Sequence, residues 1–377
     1  MLSFLNRNHF GSQPDIKPLV GVFVSLSVIR KLKKQSFIYK INELCQANME
    51  VGVDLYFFSK KDADLNKKRI KGTYFCTKTG KWTQKNFPFP DVLYYRRSDG
   101  KKSVQAFRDK LKEYGVLFLN PVADFDKWDV YNRLVQQTDM VKHLPLTIQY
   151  KQIESLNDMF NQCDRIYIKP CKGRYSRNVI RVNKKPEGGF VYSYYSNQLV
   201  VKNVDTLPEL NQRLLEILKG RSAIIQQAIE GETSNQNSIT DMRAEVQRNG
   251  DGEIEVVATT VRVSDTGSPV TSMRTNASVY SLDNYFKEKL HYSDERLEEI
   301  QDKINKFLIT IYKGVEDVYG FFGELGIDFV LNNDGELWLI ECNAKSAKAA
   351  LIKSYDKATI RRAFLNPLAY AKYITSK

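Results

Sequence analysis

The feature that most constrains the fold is a pair of apolar runs, ELGIDFVL and LWLIECN, separated by the short polar stretch NNDGE. An Asn-Asp-Gly turn between two β-prone runs is typical of a tight hairpin, so we expect two antiparallel strands. Asp328 interrupts the first run, and Glu341 and Asn343 lie two residues apart in the second, which places them on one sheet face. Because unpaired carboxylates are costly in apolar strands and Mg²⁺ prefers oxygen ligands, the pattern favours a metal–phosphate site over ordinary surface ion pairs.

Length and composition indicate a globular protein of two or three domains. The chain has 377 residues, 42% of them hydrophobic, and no apolar run long enough to cross a membrane. Its first residues lack the long apolar core of an export signal. The five cysteines are odd in number and scattered, which favours a reducing cytoplasm without structural disulfides. We therefore expect a cytoplasmic protein with no membrane partner.

The basic charge is concentrated near the amino terminus. Residues 1–125 hold 23 Lys and Arg against 11 Asp and Glu, which accounts for +12 of the net charge of +13. Such an excess fits either a solvated lysine-rich face or attraction of an acidic partner. A nucleic-acid partner is disfavoured, because no zinc-finger spacing or aromatic RNA-binding signature accompanies the charge.

The first part of the chain has the pattern of an α/β domain. PLVGVFV, a helix-compatible stretch near 36–49 and VGVDLYFFS follow one another as β-α-β, and FPFPDVLYYRR and VLFLN supply further strands. We assign 1–14 to a tail and 15–124 to this basic domain.

The remainder has an α+β pattern. From Phe125 an amphipathic helix leads through a proline into a strand; later strands are expected at 165–170, 178–182, 190–195 and 222–229, with a helix over 207–220 closed by Gly220. A hairpin over 242–263 and a long helix over 295–320 precede the final hairpin. We assign 125–228 and 229–377 to two successive subdomains.

Several motifs together carry a family resemblance. IKPCKG, AIIQQAI and GIDFVLNNDGELWLIECNAKSAK resemble, in order and spacing, the core of the ATP-grasp superfamily. FPFPDVLYYRR followed by FDKWDVYNRL resembles more specifically the YheC/YheD group of endospore coat-associated proteins. The resemblance covers roughly 18–365 and implies two α+β subdomains that clamp ATP, preceded by an α/β pre-ATP-grasp domain.

The resemblance also implies roles for individual residues. The predicted phosphate-binding lysines are Lys127 and Lys169. The predicted magnesium ligands are Asp328, Glu341 and Asn343, with Arg243 and Arg262 near the γ-phosphate or acyl phosphate. The predicted adenine hinge is Gln226, Gln227, Ala228 and Ile229, followed by Glu230 or Glu232 as the acid that holds ribose.

Two segments depart from the family pattern. The phosphate-covering loop reads KGRYSRN: it keeps Gly173 but has Ser176 and Asn178 where the pattern prefers glycine. Asparagine tolerates left-handed φ better than other non-glycine residues, and Arg174 and Arg177 could replace backbone donors with charge. VTSMRTNAS (270–278) stands where relatives tend to carry an Asn followed by a Gly pair, so the expectation is a different substrate chemistry or a weakened activity.

The expected function is an ATP- and Mg²⁺-dependent ligase that activates a carboxylate as acyl phosphate and joins it to an amine or thiol. ATP and two Mg²⁺ ions, with Mn²⁺ as an alternative, are the expected cofactors. The expected partners are small-molecule or peptide carboxylates and amines, including acidic ones; the oligomeric state is open, with a homodimer as one option. The alternatives are a phosphotransferase and a spore-associated structural protein with a vestigial nucleotide site. No Ser/His/Asp set or histidine metal pattern points to a hydrolase or a zinc enzyme.

Overall fold

The computed structural model describes residues 17–97, 102–173, 176–233 and 237–377. The expected tail at 1–14 and the predicted role of Arg174 therefore lie outside the described residues. The chain divides into two compact units: the residues up to Phe118 together with Ala371–Lys377, and Leu119–Tyr370. Each unit mixes helices and strands, which confirms the predicted α+β class.

The first unit is built on a sheet with the strand order β3-β4-β2-β1-β6-β7, and β5 pairs with β4. The expected β-α-β start is confirmed, because β1 and β2 pair in parallel with Val22 opposite Phe57. The helices are α1 (Leu26–Lys33), α2 (Tyr39–Val51) and α3 (Lys102–Glu113). The strands are β1 (Leu19–Phe23), β2 (Asp54–Phe58), β3 (Ala63–Asp64), β4 (Arg69–Cys76), β5 (Lys81–Pro88), β6 (Val92–Tyr95) and β7 (Leu117–Phe118).

The β4–β5 hairpin is fixed to this sheet by aromatic packing. Tyr56 of β2 stacks on Phe87 of β5 with ring centroids 4.4 Å apart. Gly72 of β4 lies beneath both rings, and a Cβ there would come within 2.5 Å of Tyr56 and 2.6 Å of Phe87. The glycine is therefore required by the close approach of the rings.

The second unit begins with an antiparallel sheet in the order β12-β11-β10-β9-β13-β8. Two helices cover one face of this sheet, and their leucines pack against Ile166, Ile168 and Ile225. The strands are β8 (Thr147–Tyr150), β9 (Arg165–Pro170), β10 (Ile180–Lys184), β11 (Phe190–Tyr195), β12 (Leu199–Val204) and β13 (Ala223–Gln227). The helices of this part of the chain are α4 (Lys127–Leu134), α5 (Thr138–Val141), α6 (Ile153–Phe160) and α7 (Leu207–Leu218), of which α6 and α7 cover the sheet.

The remaining sheet has the order β16-β15-β14-β17-β18. A long amphipathic helix, capped by Ser293, buries its apolar face against it. The strands are β14 (Thr240–Arg248), β15 (Ile254–Val263), β16 (Ser278–Ser281), β17 (Glu324–Leu331) and β18 (Leu337–Asn343). The helices are α8 (Leu282–Glu288), α9 (Asp294–Tyr319), α10 (Ala349–Ser354) and α11 (Lys357–Thr375).

Two local expectations need correction. The amphipathic segment after Phe125 forms two short helices rather than one, because α4 ends at Leu134 and the chain turns before α5 begins at Thr138. Gly220 is not the C-cap of α7: Lys219 takes that position in the left-handed conformation, with φ +52°, and Gly220 follows at φ +72°. The predicted strands, by contrast, are all present.

All five cysteines lie in described regions and are free. Within the residues the structure describes, no helix combines the length and apolar character that a membrane-spanning segment needs.

Candidate active site

The last hairpin brings the predicted ligand residues together. In the β17–β18 pairing Asp328 lies opposite Glu341 and Gly326 lies opposite Asn343. The register shifts directly after Asp328, so the alternation of side chains changes only beyond this point. Directly opposed residues share a sheet face, and Asp328, Glu341 and Asn343 therefore project to the same side.

Asp328 is held by two arginines. Arg243 lies directly opposite it on β14 and forms a two-pronged ion pair, with Nη2 of Arg243 2.7 Å from Oδ2 of Asp328. Arg262 approaches the same carboxylate at 3.3 Å. Burial alone would raise the pKa of Asp328, but the two guanidinium groups outweigh it and hold the pKa below its ordinary value. The carboxylate is therefore ionised, as a metal ligand must be.

A second carboxylate, Asp241, extends the network and was not foreseen from the sequence. It lies opposite Arg262 in the β14–β15 pairing and accepts two hydrogen bonds from it, at 2.6 and 2.7 Å. The hydroxyl of Thr271 donates to the same carboxylate at 2.5 Å. The available signal was the alternation in TDMR, which puts Asp241 on the face of Arg243.

The two predicted phosphate lysines lie at the edge of this network. Lys127, the first residue of α4, is 3.3 Å from Glu341. Lys169, in β9, is buried, and its ammonium donates to Oε1 of Gln226 at 2.6 Å. Burial lowers the pKa of Lys169 to about 8, although Glu341 opposes the shift. A lysine that is desolvated and close to losing its proton benefits strongly from a neighbouring anion.

An open cleft of about 460 Å³ adjoins these charges. This volume includes solvent-filled space at the mouth of the cleft. Most of its lining is apolar, with charged groups at one side. The lining residues that define it are Tyr131, Leu144, Ile224 and Leu339 as apolar walls, and Lys127 and Glu341 as charged groups.

The predicted hinge continues from β13 beside this cleft. Gln226 is buried and its side-chain amide bridges Lys169 and Thr147. The backbone N–H groups of Gln227 and Ala228 donate to Leu146 and Arg165, respectively. Within the described residues, the N–H of Ile229 has no backbone acceptor. Of the hinge residues, Ile229 is thus the one with a donor available for a ligand.

The two predicted ribose acids have protein partners. Glu230 is half exposed and forms ion pairs with Arg165 and Arg181, the latter at 3.1 Å. Glu232 accepts a hydrogen bond of 2.7 Å from the hydroxyl of Tyr292. Neither forms an ion pair with the Asp328 network among the described contacts, and their role in holding ribose stays a prediction.

The phosphate-loop departures have a backbone explanation. Ser176 and Asn178 both adopt left-handed φ, +54° and +59°, at the positions where the family pattern prefers glycine. The side chain of Asn178 donates to the carbonyl of Ile217 and accepts from Arg221, which offsets part of the strain. Gly173 does not adopt left-handed φ, and a Cβ at this position would contact only Pro170, at 3.8 Å. Arg177 is exposed.

The donor set fits a hard cation that arrives with an anion. In the described part of the chain no three His, Cys, Asp or Glu residues cluster as a metal site, so a metal would rely on Asp328, Glu341 and the amide of Asn343. The Nδ2 atom of Asn343 is buried without a hydrogen-bond partner, which leaves this amide free to reorient its oxygen. The four cations Lys127, Lys169, Arg243 and Arg262 exceed the three carboxylates by one charge. The excess favours a polyanion.

A second ion cluster lies deeper on the same face and was also missed from the sequence. The ammonium of Lys348 is 2.5 Å from Glu324 and 3.8 Å from Glu245, and all three side chains are almost fully buried. The hydroxyl of Ser346 donates to Glu245. These contacts fix the segment that follows Asn343.

Comparison with known proteins places the chain in a family. A family model described as YheC/D like ATP-grasp matches residues 115–374. The chain is 24% identical to the endospore coat-associated protein YheD of Bacillus subtilis (strain 168), across 96% of this chain and 80% of that one. It is 20% identical to YheC of the same organism, across 89% and 92%.

Solved structures share the fold. The ATP-grasp ligase PsnB, solved with a minimal precursor, aligns at 13% identity and TM-score 0.51 over 96% of this chain and all of its own. D-alanyl-alanine synthetase A from Vibrio cholerae aligns at 11% identity and TM-score 0.52, with the same coverage. D-cycloserine synthetase DcsG aligns at 13% and 0.53, over 94% and 99%. With the family model matching more than half of its length, the chain belongs to the YheC/D-like ATP-grasp family.

Proposed function

We propose that the protein is an ATP- and Mg²⁺-dependent ligase that activates a carboxylate as acyl phosphate and joins it to an amine or thiol. The observation that supports this best is the interleaving of four cations with Asp241, Asp328 and Glu341 beside an apolar cleft. Such a site can neutralise a metal–triphosphate and bury a planar base next to it.

In this proposal the residues divide into four groups. Asp328, Glu341 and Asn343 hold Mg²⁺, which supplies charge neutralisation of the phosphate oxygens. Lys127 and Lys169 bind phosphate oxygens as point charges. Arg243 and Arg262, which flank Asp328, stabilise the negative charge that develops on the transferring phosphoryl group and on the acyl phosphate. Ile229 offers its backbone N–H to the base.

The reaction balances in two steps. An oxygen of the substrate carboxylate attacks the γ-phosphorus, the bond to the bridging oxygen breaks, and ADP leaves. The amine nitrogen then attacks the acyl carbon, the bond from that carbon to the phosphate oxygen breaks, phosphate leaves, and the nitrogen loses a proton. Exclusion of water protects the acyl phosphate between the steps.

Hydroxylamine trapping tests the first step without knowledge of the natural amine. The full-length protein is incubated with MgATP, hydroxylamine and a panel of amino acids, dicarboxylates and acidic peptides, and hydroxamate and ADP are quantified together. We expect at least one carboxylate to give equal amounts of both. Arg243→Lys, which retains the charge but not the two-pronged geometry, should reduce both products in parallel.

Other outcomes would exclude a ligase. ADP release with a phosphorylated hydroxyl product and no hydroxamate identifies a phosphotransferase. Absence of Mg²⁺-dependent ATP binding in calorimetry identifies a vestigial site and a structural role.

The names of the two relatives bear on location. Both are called endospore coat-associated proteins. We propose the same association for this chain, with synthesis in the cytoplasm. A fluorescent fusion in a spore-forming host should follow the forespore surface; diffuse fluorescence throughout sporulation would contradict the proposal.

A further inference from the structure

The β4–β5 hairpin of the first unit is strongly basic. Between Asp64 and Asp91 the chain contains seven Lys and Arg and no Asp or Glu. Four of these basic side chains lie on the two strands and are exposed: Arg69, Lys71, Lys81 and Lys85. Lys85 lies over the rings of Tyr74 and Phe87, at 5.1 and 4.7 Å from their centroids, which orders it on the hairpin surface.

The backbone of β5 has an outward-facing hydrogen-bonding edge. Trp82 lies opposite Phe75, but its N–H and C=O are both bonded to the side-chain amide of Gln35, at 2.8 and 3.0 Å. Trp82 therefore directs both backbone groups away from β4. In a regular antiparallel ladder the backbone groups of successive residues point alternately to the two sides of the strand. The N–H and C=O of Gln84 and Asn86 therefore also point outward.

The groups at Gln84 and Asn86 are available for an additional strand. Within the described residues, neither has a backbone partner on this side, and β5 pairs with β4 alone. The Gln35 amide already pairs with this edge as a peptide group of an added strand would. Pro88, which lacks an N–H, ends the edge.

Charge decides which strand fits. Pairing with a second copy of this hairpin would place seven basic residues opposite seven others, and the repulsion between them disfavours it. An acidic strand gains from the same charges. Nucleic acid supplies phosphate acceptors for the N–H groups but no backbone donors for the carbonyls of Gln84 and Asn86, whereas a peptide supplies both.

We propose that the β5 edge binds an extended acidic peptide by strand addition, with Lys81 and Lys85 flanking it on one face and Arg69 and Lys71 on the other. The surface shares no residue with the candidate active site, and the proposed binding requires no nucleotide. Failure of the ligase proposal would therefore leave it standing, and the reverse also holds.

The test is fluorescence anisotropy with the full-length protein and no nucleotide. The probe is a labelled peptide of about twelve residues with alternating Glu and Val. A matched probe carries backbone N-methyl groups on alternate residues, which keeps the charge but prevents strand pairing. The hairpin variant replaces Arg69, Lys71, Lys81 and Lys85 with Gln. The control variant replaces four exposed lysines elsewhere, Lys184, Lys202, Lys313 and Lys353, with Gln.

We expect the hairpin variant to bind the acidic peptide at least about tenfold more weakly, and the control variant within about twofold of the original chain. The N-methylated probe should lose at least about tenfold, because it cannot bond the edge. Equal affinity for the two probes would overturn strand addition, and equal affinity of the two variants would overturn the hairpin as the site. Tighter, hairpin-dependent binding of a single-stranded DNA probe would replace the peptide with nucleic acid. Unchanged thermal midpoints verify folding.

Discussion

The two ion clusters on the β14–β17 face share a sheet and differ in what surrounds them. The upper cluster contains Asp328, Arg243 and Arg262, whose side chains are 10–16% exposed. The lower cluster contains Lys348, Glu245 and Glu324, whose side chains are 0–2% exposed. Cations are in excess in the upper cluster and carboxylates in the lower one.

Gly326 separates the clusters. A Cβ at this position would lie 3.3 Å from both Nη1 of Arg243 and Cβ of Ser346. Because the upper cluster is partly exposed, it would exchange its protein counter-ions for a metal and an anion in the proposed function. The lower cluster is almost fully buried, so its charges depend on partners within the protein. In the proposed function, ion pairs on this sheet face therefore serve binding at one end and folding at the other.

The largest expected effect is on the lower cluster. Lys348→Met removes the cation that serves two buried glutamates and should lower the free energy of unfolding by about 3–5 kcal/mol. Urea denaturation measures this free energy of unfolding. Lys353→Met, at an exposed lysine one turn into the next helix, should change stability by less than about 0.5 kcal/mol. If both variants were equally stable, the lower cluster would not be a folding element.

The next effect is on turnover and belongs to the upper cluster. Asp328→Asn and Glu341→Gln each replace a negatively charged carboxylate ligand by a neutral amide and should reduce Mg²⁺-dependent ADP release at least about 100-fold with the fold retained. Glu324→Gln is the matched change in the lower cluster and should reduce the rate per folded molecule by less than about threefold. Normal turnover in both upper variants would end the metal assignment.

The next prediction concerns the pH dependence of nucleotide binding. Lys169 has a pKa lowered to about 8 by burial, so in the free protein it is charged below that pH and neutral above it. Since the charged form binds phosphate, ATP affinity should fall as pH rises through 8, by up to about tenfold per pH unit. Titration with a fluorescent nucleotide at pH 7 and pH 9 measures this. Lys169→Gln should bind weakly at both values; a pH slope that survives in this variant must come from another group.

The smallest effect is expected for Glu245. Burial raises its pKa, with Lys348 and Ser346 opposing the shift. Glu245→Gln keeps an oxygen acceptor for Ser346 and should change the free energy of unfolding by less than about 1 kcal/mol.

The sign of its pH effect follows from the raised pKa. The folded chain holds the Glu245 proton more tightly than the unfolded chain, so stability should fall as pH rises from the ordinary carboxyl pKa to the raised one. That slope should be absent in Glu245→Gln. A slope identical to that of the original chain would assign the titration elsewhere.

Local pattern by itself determined the elements that carry the site. The strands 324–331 and 337–343 and the turn between them follow from alternation and an Asn-Asp-Gly sequence, because both signals act over a few residues. The left-handed backbone at Ser176 and Asn178 was indicated by the family resemblance, in which these positions prefer glycine. Local sterics decide such features before any tertiary contact forms.

The partners of the site residues were decided only by tertiary structure. Period-two alternation says which side chains share a face but not which strand lies next, and β14 pairs with β17 across more than 70 residues of chain. That non-sequential pairing sets Arg243 against Asp328. It also places Glu245 and Glu324 on one face, where both contact Lys348. These contacts depend on strand order and burial, which no short segment encodes, and for this reason Asp241, Thr271 and the Lys348 cluster escaped prediction while the hairpin did not.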